Sequence, residues 1–280
     1  MIYIAHSEDN KLGGGWSWIS NAKKVLLTTN YNDAKVFLIP SPSICTKEEV
    51  DQAQADGKKI VLRVDNIVRN SRNRNTGMTR MKRFAEQADL VVYQSEFACN
   101  LLLPYLQVDG PVILNGCDQS IFNPRGRQES ATAKYIYSRV NRDETKNWEM
   151  ARMFYQQKYQ ENKDSLLHIV GHFSPELIEY NFDFYQDEKY RYWSIMHDQA
   201  SLAQIYKDSD YFIYTYFNDA CSNSLIEALS SGCKIADPYG MITTGGAMEI
   251  LHAYQTFGED YLDIKRMGRQ YMEAINEFIV

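Results

Sequence analysis

The sequence predicts an α/β protein made of two halves, each built on a parallel sheet. Three observations predict it. Short apolar strands alternate with helical segments from Met1 to Leu114 and again from Lys134 to Pro238, the order that gives a parallel sheet covered on both faces. Residues 124–133, Pro-Arg-Gly-Arg-Gln-Glu-Ser-Ala-Thr-Ala, are polar and turn-rich and read as a linker between the halves. Residues 211–238 form a strand–loop–helix–strand unit: an aromatic and β-branched run, Asn218–Ser224, a helix with Leu225, Ile226, Ala228 and Leu229 on its apolar face, Gly232 as its stop, and a second strand.

Composition sets bounds on this reading. The chain has 280 residues, 44% of them hydrophobic, enough for one large core or two ordinary ones. The net charge of −6 gives no global attraction to nucleic acid or anionic membrane. The five cysteines are widely spaced without a Cys-x-x-Cys pair, which predicts reduced thiols rather than a zinc cluster or disulfide framework. Met-Ile-Tyr-Ile-Ala-His lacks a basic leader and a long apolar run, so no signal peptide is expected. No run is long enough to span a bilayer. A cytoplasmic protein is the expectation.

Within the first half, Met1–Ala5 is a strand leading into a glycine-rich loop, Gly13-Gly14-Gly15, and then a helix. Three glycines let a ligand approach the backbone and its N–H groups. The loop lacks the Gly-Lys-Ser/Thr ending of a P-loop and the third glycine of a dinucleotide fingerprint. Strands follow at Ala34–Ile39 and Lys59–Val64, with a helix at Lys47–Ala55 between them and Asp65 at the carboxyl end of the second. Ligands bind at such ends. Residues 66–85 carry six basic side chains, from Arg69 to Arg83, and no acid. They read either as a solvated surface or as a seat for a phosphorylated, lipid-linked or nucleic-acid acceptor. No interleaved aromatic residues support base stacking. Strands at Asp89–Gln94 and Pro111–Leu114 flank a helix that starts near Ser95.

The second half restarts at the strand Lys134–Val140. A loop, Asn141–Thr145, and a helix from Lys146 follow. Next come a strand at Leu166–Gly171, an aromatic-rich polar stretch at Phe173–Trp193, and a helix at Gln199–Lys207. His168 and His172 would share a face of a strand yet lie far apart, with no third ligand near, so no metal site is expected there. After Pro238, a loop at Gly240–Gly246 is expected to close over a ligand, with helices at Ala247–Tyr254 and Tyr261–Phe278.

The chemistry gathers after two strands. Arg139, Arg142 and Lys146 surround the loop after the first strand of the second half, and cations there neutralise a diphosphate. Ser222, Asn223 and Ser224 open the helix of the 211–238 unit, whose N–H groups and dipole suit a phosphate. Asp219 and Glu227, eight positions apart, are acceptor-only groups that suit sugar hydroxyls. Phosphate and hydroxyl recognition side by side is what a nucleotide-sugar pocket requires.

Asp219-x7-Glu227 resembles the acidic-x7-Glu element of retaining glycosyltransferases with the GT-B fold, those of glycosyltransferase family four; this chain has Asp219 where the usual form has Glu. Three further stretches resemble the same family in the same order: the Gly13–Gly15 loop, Asn115-Gly-Cys-Asp118 with Phe122-Asn-Pro124, and the Arg139/Lys146 pair, its loop about two residues longer than usual. The resemblance implies two Rossmann-like domains facing across a cleft, residues 1–125 for the acceptor and 133–256 for the donor, with 257–280 crossing back. It implies that Glu227 holds the nucleotide ribose, Asp219 a donor-sugar hydroxyl, and Arg139 and Lys146 the diphosphate, with Arg142 sharing that role. Gly13–Gly15 would lie beside the donor phosphates, and Asp65 and Arg69 would serve the acceptor.

The function implied is sugar transfer with retention from a nucleotide diphosphate sugar to a glycan, lipid-linked or other acceptor. Neither cofactor nor metal is required, and no obligate protein partner is evident. The alternatives are a DNA-modifying glycosyltransferase using residues 69–83, a non-catalytic nucleotide-sugar-binding protein, and a GT-B-like sugar-nucleotide epimerase. A membrane surface or DNA is the further contact the basic segment would make.

Overall fold

The computed structural model describes residues 1–9, 11, 13–65, 74–128, 130–140, 143–172, 187–196 and 198–279. The chain is an α/β protein of two Rossmann-like units. One comprises Met1–Gly116 with Glu249–Val280, the other Cys117–Met248.

The first unit begins with β1 (Ile2–Ile4), α1 (Gly14–Val25), β2 (Val36–Ile39), α2 (Lys47–Ala55), β3 (Lys59–Val64), α3 (Arg74–Gln87), β4 (Leu90–Tyr93) and α4 (Glu96–Leu106). Its strands pair in parallel in the order β1-β2-β3-β4. These strands are nearly continuous apolar runs because both sheet faces are covered. Thr46 and Glu49 form a reciprocal capping box that starts α2. The expected strand at Pro111–Leu114 is reduced to one bridge, Val112 to Tyr93. Pro111 offers no N–H to a ladder, and a Cβ on the preceding Gly110 would lie 1.8 Å from the Val91 carbonyl oxygen. A second correction concerns the glycine loop: Gly14 and Gly15 form the first turn of α1, with Gly13 as its N-cap.

The second unit holds β5 (Lys134–Val140), α5 (Trp148–Glu161), β6 (Leu166–Gly171), β7 (Tyr190–Trp193), α6 (Gln199–Lys207), β8 (Tyr211–Ile213), α7 (Asn223–Ser230) and β9 (Lys234–Ala236). All pair in parallel in the order β7-β6-β5-β8-β9. The order reverses between β5 and β8, which makes the loops after those two strands the natural ligand site of this sheet. Strand β7 lies inside the aromatic stretch that periodicity alone left unassigned.

The chain returns to the first unit through α8 (Ala247–Phe257) and α9 (Ile264–Ile279). Ile264, Met267, Tyr271, Ala274 and Ile275 of α9 share a core with Ile2, Ile4, Trp18 and Ile19. Arg266 fastens α9 to the end of the chain's first passage by donating to the carbonyls of Leu114 (2.7 Å) and Asn115 (2.9 Å). Gly116 makes that approach feasible, since a Cβ there would lie 2.8 Å from the Asp263 carbonyl carbon. None of the helices among the described residues is long and apolar enough to cross a membrane.

Candidate active site at the switch point of the second unit

The register of β5 against β6 shifts between Tyr137 and Val140. Such an irregularity re-aims side chains, and the two residues inside it are Ser138 and Arg139. The chain then reaches a 3-10 turn, Glu144–Lys146, before α5 starts at Trp148. Lys146 therefore sits ahead of the helix rather than in its first turn, as the sequence led one to expect. Asn147, left-handed at φ 52°, makes the corner.

This corner is stitched to the segment after β8. The Lys146 carbonyl accepts from the Tyr137 hydroxyl and from Thr215 Oγ1 (3.0 Å), and Phe217 N–H donates to the Thr145 carbonyl (3.1 Å). The Lys146 side chain then reaches across: Nζ lies 2.5 Å from Asp219 Oδ2, with both side chains largely buried. Nζ also stands 4.6 Å from the centre of the Tyr216 ring, a cation–π contact in a dry setting.

Asp219 is itself held from behind. Its carbonyl accepts from Gly246 N–H (2.9 Å). A Cβ on Gly245 would lie 2.6 Å from that carbonyl oxygen and 2.9 Å from the Asp219 nitrogen. The expected loop at Gly240–Gly246 contains a 3-10 turn, Met241–Thr244, and its glycines serve as the backing of Asp219.

Ser222 caps α7, its hydroxyl accepting from Leu225 N–H at 3.4 Å. Ser222 and Ser224 hydroxyls lie 3.2 Å apart. The first turn of α7 carries no acid that would compete with a phosphate. Glu227, on the second turn and half-buried, receives the Tyr206 hydroxyl at 3.5 Å; that hydroxyl also donates to Ser138 Oγ at 2.8 Å. Burial pushes Glu227 up to about 7, against the opposing pull of Arg139 and the Tyr206 hydrogen bond. Burial pulls the Arg139 guanidinium down, but the surrounding Tyr216, Asp219, Glu227 and Tyr206 raise it on balance.

Four sequence-predicted residues, Arg139, Lys146, Asp219 and Glu227, thus lie around one end of the sheet, with the Ser222–Ser224 turn beside them. The ion pair neutralises Lys146 against Asp219. A Glu227 poised near neutrality leaves Arg139 only partly compensated, so the group favours an incoming anion. Arg142 lies outside the described residues.

In the first unit, Gly15 and Asp65 come together: a Cβ on Gly15 would lie 3.5 Å from Asp65 Oδ2 and 2.9 Å from Ile44 Cδ1. Asp65 stands 3.8 Å from the buried Arg63 guanidinium, which also donates to Gln94, Asn115 and the Pro40 carbonyl. Arg69 and Arg72 lie outside the described residues. Of the basic run that follows, Arg83 pairs with Asp51 at 3.0 Å and Lys82 donates to the Tyr105 carbonyl at 3.4 Å. The described residues contain no group of three or more His, Cys, Asp or Glu side chains placed to hold a metal ion.

Sequence reasoning missed Tyr206, Tyr216, Ser138 and Gly245. Tyr206 and Tyr216 look like core aromatics in sequence, and both are fully buried. Ser138 was the recoverable one, since it precedes a singled-out arginine at the end of a strand.

No protein-family model matches the sequence, and no curated protein matches it. Solved structures do. Anabaena HepE in complex with UDP and glucose is similar at 14% identity over 87% of this chain and 78% of that one, with a TM-score of 0.65. The pneumococcal O-GlcNAc transferase GtfA in complex with UDP and GlcNAc is similar at 13% identity over 97% of this chain and 62% of that one, with a TM-score of 0.62. A Listeria monocytogenes protein assigned as a UDP-N-acetylglucosamine 2-epimerase is similar at 11% identity over 93% and 78%, with a TM-score of 0.56. At these identities the likeness establishes the fold, and the fold is that of the GT-B glycosyltransferases.

Proposed function

We propose that the protein is a nucleotide-sugar-dependent glycosyltransferase whose donor is held by the second unit. The observation that carries this reading is the buried Lys146–Asp219 pair at the switch point, flanked by Arg139 and Glu227. Cationic groups suited to an anion and carboxylates suited to hydroxyls gather at the carboxyl ends of β5 and β8. HepE and GtfA, which share the fold, hold UDP together with a sugar.

In this reading Glu227 accepts the ribose hydroxyls and Asp219 a hydroxyl of the donor sugar. Lys146, Arg139 and N–H groups near Ser222–Ser224 receive the diphosphate. Negative charge on the diphosphate grows as its bond to the anomeric carbon breaks, so these groups stabilise the transition state more than the ground state. The acceptor oxygen forms the new bond on the face the diphosphate leaves, which retains the anomeric configuration. The departing diphosphate takes the acceptor's proton, so no side-chain base is required. Asp65 and Arg69 orient the acceptor.

The test is incubation with a panel of UDP-, GDP- and ADP-sugars, following thermal shift and release of nucleoside diphosphate. One donor should raise the melting temperature and be slowly hydrolysed. Binding without turnover would indicate a sensor. A changed sugar still attached to its nucleotide, with no acceptor added, would indicate an epimerase. Affinity for DNA that collapses with salt would indicate a DNA-modifying enzyme.

A further inference from the structure

The first unit carries a second charged concavity, far in sequence from the groups above. A groove of about 540 Å³ runs between α1 and α9, lined by Lys24, Val25, Lys265, Gly268, Arg269 and Met272. It exists because the two helices meet closely at Gly268, where a Cβ would lie 2.7 Å from Val25 Cβ. Val25 and Met272 give it an apolar floor, and the three cations stand at its rim.

Three features of this groove are unfavourable in the protein alone. The side chains of Lys265 and Arg269 make no hydrogen bond or ion pair among the described residues. They repeat at i and i+4 on one helix face, where like charges repel. The first turn of α9, Ile264-Lys265-Arg266, places two cations at the positive end of the helix, offset only by the preceding Asp263, whose Oδ1 accepts from Lys265 N–H at 2.8 Å. Glu273, which also lines the groove, pairs with neither. Two positions after Val25, Leu27 is 68% exposed, and Met1 is 64% exposed. They are neighbours, since Ile2 N–H donates to the Leu27 carbonyl at 3.0 Å.

We propose that this face of the first unit docks on an anionic lipid bilayer. Lys24, Lys265 and Arg269 would receive lipid phosphates, and Leu27 and Met1 would enter the headgroup boundary. The combination argues for a bilayer rather than a dissolved anion. Long cationic side chains over an apolar floor, with bulky aliphatic residues beside them, are what an interface between water and acyl chains selects. The negative total charge of the chain gives no global attraction, so a local patch has to supply it. The inference goes beyond the proposed transfer reaction and does not depend on it.

The experiment is sedimentation of the full chain with vesicles of phosphatidylcholine plus phosphatidylglycerol, against phosphatidylcholine alone. Wild type should partition onto the anionic vesicles and be released by salt. Lys265→Gln/Arg269→Gln should weaken partitioning by about thirtyfold. Leu27→Ser should weaken it independently. Arg80→Gln/Lys82→Gln, which removes another basic pair of the same unit, should leave it unchanged. Leu27, Arg80, Lys265 and Arg269 are exposed and Lys82 is half-buried, so circular dichroism and turnover with a soluble acceptor should stay at wild-type values. Three results would overturn the proposal: no partitioning by wild type, equal partitioning by the Lys265/Arg269 variant, or loss with the Arg80/Lys82 variant instead. Inorganic phosphate bound at Lys265 and Arg269 without any vesicle partitioning would also overturn it, by making the ligand a dissolved anion.

Discussion

Lys146 Nζ lies 2.5 Å from Asp219 Oδ2, a pair formed across 73 positions of sequence. It joins the loop after β5 to the segment after β8, the two sides of the switch point. The cation proposed for the diphosphate and the carboxylate proposed for the sugar are therefore one unit. Removing either partner alone leaves a buried charge uncompensated.

Asp219→Asn should consequently lower stability by about 3 kcal/mol, the cost typical of breaking a buried pair from one side. The double variant Lys146→Met/Asp219→Leu should recover most of that loss while abolishing turnover. Denaturant unfolding and donor hydrolysis, measured on both variants, separate the two effects. A double variant as unstable as the single one would show that the pair is not isolated from other charges.

Glu227 sets a pH dependence of donor binding. It titrates near 7, above its ordinary 4.5, because burial disfavours the carboxylate. The ionised form is the better acceptor for ribose hydroxyls, so donor affinity should rise with pH through about 7. The unliganded protein should show the opposite sign: between 4.5 and 7 the native state binds more protons than the unfolded one, so this group's contribution to stability falls as pH rises. Calorimetric titration of Glu227→Gln should find the rise in affinity gone.

Tyr206 orients that carboxylate while bonding Ser138 at 2.8 Å. Tyr206→Phe should cost about 1 kcal/mol of stability, the usual net value of one hydrogen bond. It should raise the KM for donor severalfold with a smaller change in kcat. An unchanged KM would place Glu227 away from the nucleotide.

His168 predicts acid sensitivity. It is buried on β6, where its Nδ1 accepts from Trp193 Nε1 at 3.3 Å, and burial together with Arg191 holds it down at about 4. The unfolded state takes up this proton near 6.5 and the native state near 4. Stability should therefore fall as pH drops through that window, by about 3 kcal/mol in total. Replacing the ring by His168→Phe should flatten the acid limb of the stability profile measured by urea unfolding.

Gly245 presses on the Asp219 backbone, within 2.6 Å of its carbonyl oxygen for an added Cβ. Gly245→Ala should move Asp219 and lower kcat by tenfold or more, since displacements of about 1 Å at a reacting group cost on that order. A folded variant with unchanged kcat would remove Asp219 from the chemistry.

Much of this architecture was legible because strong local signals coincide with structure. The apolar runs of β2, β3 and β4 are buried at every position that a two-sided sheet demands, apart from the Lys59 end. Ser222, read as opening its helix by type and position, accepts the N–H group that a cap requires. The illegible parts were set by tertiary contacts. Strand β7 is a polar aromatic run whose pairing with β6 overrides weak periodicity. The segment at Pro111–Leu114 reads as a strand, yet Pro111 has no N–H to give to a ladder and the segment makes one bridge, Val112 to Tyr93. Within the site, charged residues at strand ends were readable from position. The Lys146–Asp219 contact was not, because it depends on a corner at Asn147 that no spacing rule anticipates.

The most direct test of the account is release of nucleoside diphosphate from the preferred donor by wild type, Lys146→Met and Glu227→Ala, each with its fold confirmed by circular dichroism. The account predicts that both variants lose at least two orders of magnitude in kcat/KM, consistent with removal of a charge-stabilising group. Turnover near the wild-type rate in both folded variants would contradict it.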